Sequence, residues 1–118
     1  MSLHPQALLK IAVDVAGEKK ALDITVLDIR KLTVVADYFV ICTGRSSIHT
    51  RAIADEIEQR LTGEGQPAPR KEGFREGNWI LMDCGDVVIH IFQEEERIFY
   101  NLERLWGDAP VVAVPATV

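Results

Sequence analysis

A chain of 118 residues, 47% hydrophobic and 26% charged, has room for one hydrophobic core and is neither disordered nor fibrous in composition. Its net charge of −5 argues against sequence-specific or phosphate-directed binding of nucleic acid, which takes clustered Lys and Arg, and favours a basic protein as partner. No apolar run approaches the ~20 residues that cross a bilayer. The N-terminus has no secretory pattern, so Cys42 and Cys84 are expected to be reduced core residues of a cytoplasmic protein.

Pro5 to Ala16 carries Leu8, Ile11, Ala12 and Val15 at helical spacing and meets a stop signal at Gly17. Leu22, Ile24 and Val26 alternate with Asp23 and Thr25, the period of a half-buried strand. Tyr38 to Thr43 is apolar on both sides, reads as a central strand and ends at Gly44. Ser46 or Ser47 caps a helix running to about Leu61, which Gly63-Glu64-Gly65 stops. Residues 66–77, with Pro67 and Pro69, predict a short extended edge piece and a loop.

Asn78 to Phe92 reads as a hairpin turning at Gly85-Asp86, a two-residue loop whose leading Gly suits a type II′ turn. Cys84 then faces Val87. Directly paired residues share a face, so Ile80, Met82, Cys84, Val87, Ile89 and Ile91 form an apolar side expected in the core. Trp79, Leu81, Asp83, Val88, His90 and Phe92 form a mixed side, expected to be a half-exposed contact face, with Tyr38 at its rim. A last helix follows from Glu94 to Gly107, with Ile98, Leu102 and Leu105 as its buried stripe. Tyr100 is expected to point outward between Arg97 and Arg104, residue types common at binding hot spots. The whole is read as one domain over residues 1–108 and a tail, 109–118, which Pro110 and Pro115 leave either disordered or laid against the body. Helices interleaved with strands predict an α/β fold: a mixed β-sheet covered mainly on one face by helices.

Chemistry is sparsely signalled. Thr43-Gly44-Arg45-Ser46-Ser47 joins a strand to a helix, where backbone amides can hold phosphate, but it lacks the spacing of a P-loop or a dinucleotide fingerprint. It is similar to the opening of nucleotidyltransferases, whose metal-binding carboxylates find no counterpart beyond Asp83 and Asp86. His4, His49 and His90 are scattered, so no metal or cofactor is expected. His90 with Asp83 suggests an acid/base pair, yet no nucleophile accompanies them, and a hydrogen-bonded half-buried histidine is the better reading.

Three segments carry a resemblance. Asp37-Tyr38-Phe39-Val40-Ile41-Cys42-Thr43-Gly44 with Ala52-Ile53-Ala54-Asp55-Glu56, the hairpin Trp79 to Phe92, and Arg97-Ile98-Phe99-Tyr100-Asn101-Leu102-Glu103-Arg104-Leu105-Trp106 resemble the ribosomal silencing factor family, the iojap-like proteins, over roughly residues 8 to 109. The resemblance implies a non-enzymatic repressor of translation. It would bind ribosomal protein L-fourteen on the large ribosomal subunit and sterically block joining of the small subunit when nutrients are scarce. The implied fold is a sheet of nucleotidyltransferase-like topology. Tyr38, Trp79, Leu81, Asp83, His90, Phe92 and Tyr100 are the expected partner-binding residues. Two rival readings remain: a nucleotidyltransferase-like enzyme using Gly44, Ser46, Asp83 and Asp86, and a homodimer of the free protein through the same mixed face.

Overall fold

Pro5 supplies the fixed φ that suits a first helical turn, and helix α1 runs from Pro5–Glu18 in a computed structural model that describes residues 3–113. Strand β1, Leu22–Asp28, leads through a loop to β2, Tyr38–Gly44, every residue of which is buried. Helix α2, Ser47–Gly63, begins at Ser46, whose hydroxyl accepts the His49 N–H at 3.1 Å. The edge piece β3, Arg70–Glu72, and the hairpin β4, Trp79–Asp83, and β5, Val87–Gln93, complete the sheet. Strand order is β1-β2-β5-β4-β3, with β2 and β5 parallel and the other pairs antiparallel.

One face of this sheet carries α1 and α2. Leu8, Ala12 and Val15 of α1 and Ile53, Ile57 and Leu61 of α2 pack on Val40, Cys42, Ile80, Met82, Val87, Ile89 and Ile91. The hairpin therefore presents its apolar side to the core as expected. Its turn is also as read: the Cys84 N–H donates to the Val87 carbonyl at 3.0 Å, and Gly85 takes φ 88°, where a side chain would be strained. Both cysteines are free, Cys42 fully buried and Cys84 partly so.

Two departures follow from single backbone residues. In β1, Leu22 pairs with Thr43 but Thr25 pairs with Ile41, so β1 holds one extra residue there, with Asp23 at φ 49°. The bulge reverses the parity expected from alternation. Leu22 leaves the face of Ile24 and Val26 and is 39% exposed. At the other end of the chain the single last helix is broken: α3, Glu94–Tyr100, and α4, Leu102–Leu105, are separated by Asn101 in the left-handed region at φ 45°, ψ 62°. The Asn101 side chain accepts the Arg104 N–H and so starts the second helix as it ends the first. Residues 109–112 then lie along the edge of β1. The Asp28 N–H donates to the Pro110 carbonyl and the Val112 N–H to the Val26 carbonyl, both at 2.9 Å. The expected tail is thus laid on β1 as far as Val112; residues 114–118 lie outside the described residues.

Gly73, between β3 and β4, has φ 76°, and a Cβ there would stand 2.1 Å from the Trp79 carbonyl oxygen. Gly73→Ala is expected to cost at least ~2 kcal/mol of folding stability, from the left-handed backbone and a forced shift of β4. Urea unfolding would show it as a lowered midpoint. An unchanged midpoint would mean the loop moves freely away from Trp79.

Candidate functional site

The second face of the sheet holds a smaller core. Leu27, Ile29, Phe39, Ile41, Val88 and Phe92 are covered by Leu102, Ala109 and the partly buried Trp106, whose ring meets Phe39 edge-on at 5.5 Å. From this core an aromatic column climbs to the surface. Phe92 stacks on Trp79 at 4.9 Å, and Trp79 in turn carries Tyr100 at 4.7 Å. The Trp79 indole N–H donates to His90 Nδ1 at 3.1 Å, which places the proton of a neutral imidazole on Nε2. His90 is 3% exposed and lies 4.7 Å from the Phe39 ring. Its Nδ1 holds the Trp79 indole, while its Nε2 is buried without a hydrogen-bond partner among the described residues.

Burial pushes the His90 pKa from 6.5 down to about 4. Between these values the unfolded chain binds a proton that the folded chain refuses, so stability must fall as pH drops through the window. The loss accumulates to the order of 3 kcal/mol by pH 4. Unfolding free energies from pH 7 to 4 are expected to show this slope, and His90→Gln, which keeps an acceptor for Trp79, should flatten it. Equal slopes in the two proteins would exclude His90 as the cause.

The expected contact residues do not form one group. Trp79 and Tyr100 are brought together, with Leu81 half-buried on the same face. His90 and Phe92, expected to be half exposed, are buried, Phe92 in the second core with Leu102 and Ala109 and His90 among the Phe39, Trp79 and Phe92 rings; they can support a contact but not make one. Asp83 sits four residues along β4 from Trp79, about 13 Å away at strand spacing. There it accepts the Gly85 N–H at 2.9 Å and pairs with Arg70 at 3.2 Å. Tyr38 is on the opposite face. Its hydroxyl accepts from Gln6 at 3.3 Å, and its ring lies under the Arg30 guanidinium.

Sequence periodicity misassigned a group of exposed apolar residues near the C-terminus. Ile98 at 70%, Phe99 at 80% and Leu105 at 72% stand in solvent with Tyr100 at 48%, whereas an unbroken helix would have buried Ile98 and Leu105. The signal that was available is Asn101, the residue type after Gly that best tolerates the left-handed conformation. Phe99 meets Tyr100 edge-on at 5.1 Å, and the four side chains make an apolar ridge around one shallow depression that Asn101 and Arg104 also line. Glu94 and Glu95 at the start of α3, and Arg104 of α4, are exposed charges on the same two helices. An apolar ridge bordered by charge and seated on a rigid aromatic column marks an interaction surface.

The residues of the enzymatic reading are pulled apart by the sheet. Gly44 lies opposite Gln93, whereas Asp83 lies opposite Val88, five positions back along β5, a separation of about 17 Å. The Ser46 hydroxyl caps α2, and the Arg45 N–H donates to His49 Nδ1 at 2.9 Å, so this strand-to-helix junction is occupied by its own side chains. No helix among the described residues is long and apolar enough to cross a membrane.

Fold and surface together define an α/β module with an exposed apolar surface of the kind that binds partners. The family model for the ribosomal silencing factor during starvation matches residues 2–118. The ribosomal silencing factor RsfS of Bacillus subtilis is 46% identical over 109 residues, covering 92% of each chain. The chloroplastic protein Iojap of Zea mays is 41% identical over 101 residues, which span 85% of this chain and 43% of that one. A crystal structure from Chromobacterium violaceum superposes with a TM-score of 0.86 at 34% identity, covering 98% of this chain and 97% of that one. The chain belongs to the ribosomal silencing factor family, non-enzymatic regulators that bind the large ribosomal subunit and repress translation during starvation.

Proposed function

We propose that the protein seats the ridge of Ile98, Phe99, Tyr100 and Leu105, backed by Trp79, against ribosomal protein L-fourteen on the large subunit and thereby prevents the small subunit from joining. The observation that carries this reading is the exposure of these four apolar side chains on an aromatic column rooted in the core. Rigid aromatic groups with their conformational freedom already spent are the usual carriers of interface energy. The acidic balance of the chain complements a basic ribosomal surface and favours fast encounter. Asp83 and Leu81, further along β4, belong to the rim of this contact, while His90 and Phe92 act beneath it.

Repression then needs no chemistry. The folded body measures 34 × 32 × 28 Å, so a copy seated on the joining face fills space that the small subunit would need, and occupancy is itself the block. Such a protein acts in the cytoplasm, where ribosomes assemble on messages. The same ridge, uncovered when no ribosome is bound, supports a homodimer of the free protein. Titrating the protein into separated subunits tests the main reading: inhibition of joining should track occupancy of the large subunit. Occupancy without inhibition would overturn the steric block.

A further inference from the structure

Neither helix of the ridge is held by its own length. Helix α3 has seven residues, none of them buried, and α4 has four; isolated helices this short do not persist in water. Their orientation must come from ties to the body. One side chain supplies three of them. Arg97 turns inward, away from the flank of Tyr100 where helical periodicity puts it, and only 11% of its side chain is exposed. Its guanidinium donates to Thr43 Oγ1 of β2 at 2.9 Å and to Thr25 Oγ1 of β1 at 3.3 Å, and it pairs with Glu103 of α4 at 2.9 Å. The Arg97 carbonyl also accepts the Asn101 N–H at 2.9 Å, at the point where α3 ends.

We propose that Arg97 is the positioning residue of the ribosome-contacting ridge, clamping α3 and α4 to β1 and β2 so that Phe99 and Tyr100 are presented at a fixed angle. The inference rests on the ridge being the contact surface. Apolar packing on Trp79 and Leu102 holds the ridge near the sheet but permits sliding, whereas three directional bonds from a planar fork do not. A lysine supplies the charge and three donors on one nitrogen, without the two fixed nitrogens that here reach Thr43 on one side and Thr25 and Glu103 on the other. The Glu103 bond links the helix before the break to the helix after it, so the angle at Asn101 is set by Arg97 as well as by the left-handed backbone.

Arg97→Gln separates this role from general stability. Amide hydrogen exchange across residues 98–105 is expected to speed up about 10-fold or more, while protection in α1 and α2 is unchanged. The dissociation constant for large subunits should rise about 10-fold in the parent background but by less than about 2-fold when Phe99 is already alanine, because a clamp has value only through what it positions. Arg97→Lys should recover less than half of the loss in log Kd. Unchanged exchange in the ridge, or equal losses in both backgrounds, overturns the proposal. If Arg97→Gln loosens the whole protein, Thr43→Val, which removes one acceptor and preserves the shape of β2, must show the localised pattern; a global effect there also overturns it. Should Phe99→Ala alone leave binding unchanged, the contact reading fails and the ribosomal role of Arg97 with it. The exchange data, recorded without ribosomes, distinguish that failure from failure of the clamp.

Discussion

Phe99→Asp is expected to raise the dissociation constant for the large ribosomal subunit by about 30-fold or more, equivalent to ~2 kcal/mol, with folding stability unchanged within about 0.5 kcal/mol. The contrast between the two numbers is the test. Phe99 is 80% exposed and meets Tyr100 only by its edge, so the free protein loses almost nothing when the ring goes. In the complex the ring would be covered, and a carboxylate in its place would be desolvated without a partner. Co-sedimentation with large subunits, alongside urea unfolding of the same preparation, gives both quantities. Parental co-sedimentation of the folded variant would place the ribosomal contact elsewhere.

Phe92→Ala is expected to show the reverse: about 3–5 kcal/mol of stability lost, and binding reduced only as far as the protein unfolds or the column sags. Phe92 is fully buried on β5, opposite Trp79 in the strand register and stacked on it at 4.9 Å. Its removal opens a cavity beneath the indole, between the sheet and the cover formed by Leu102 and Ala109. Set against the ~5–15 kcal/mol that holds a typical domain together, this is a large fraction, and the melting temperature should fall by roughly 10–20 °C. Calorimetry would measure it. A loss below about 1 kcal/mol would mean that the second face carries no real core.

The hairpin was legible because its information is local. A two-residue turn led by Gly85 sets the pairing of Cys84 with Val87, and the strict period of two then assigns every side chain to a face. The same holds for β2, whose unbroken apolar run announced burial on both sides, and for the Ser46 cap of α2. What covers a face is not local information. His90 and Phe92 are alternation partners of Trp79, yet they are buried while Trp79 is half-exposed: Phe92 packs with Leu102 and with Ala109, from a segment that proline content left open, and His90 sits among the Phe39, Trp79 and Phe92 rings. Tyr38 shows the related limit: a strand that is apolar on both sides has a known parity, but not a known assignment of each parity to a cover.

One backbone angle separates the expected last helix from the observed pair of short ones. Helical period alone carries Ile98, Leu102 and Leu105 on one stripe, and a left-handed residue at Asn101 divides that stripe into an exposed half and the buried Leu102. The amino-acid sequence by itself determined the order of elements, the register and core side of the hairpin, the capping of α2, and through its motifs the silencing-factor family; all of these are encoded in neighbours along the chain or in side-chain period. The tertiary structure alone decided which residues of the mixed face reach solvent, that Arg97 turns inward to three acceptors, and that Ile98, Phe99 and Leu105 stand outside. Those outcomes depend on distant segments meeting across the sheet, and a short helix takes its direction from the body to which it is tied.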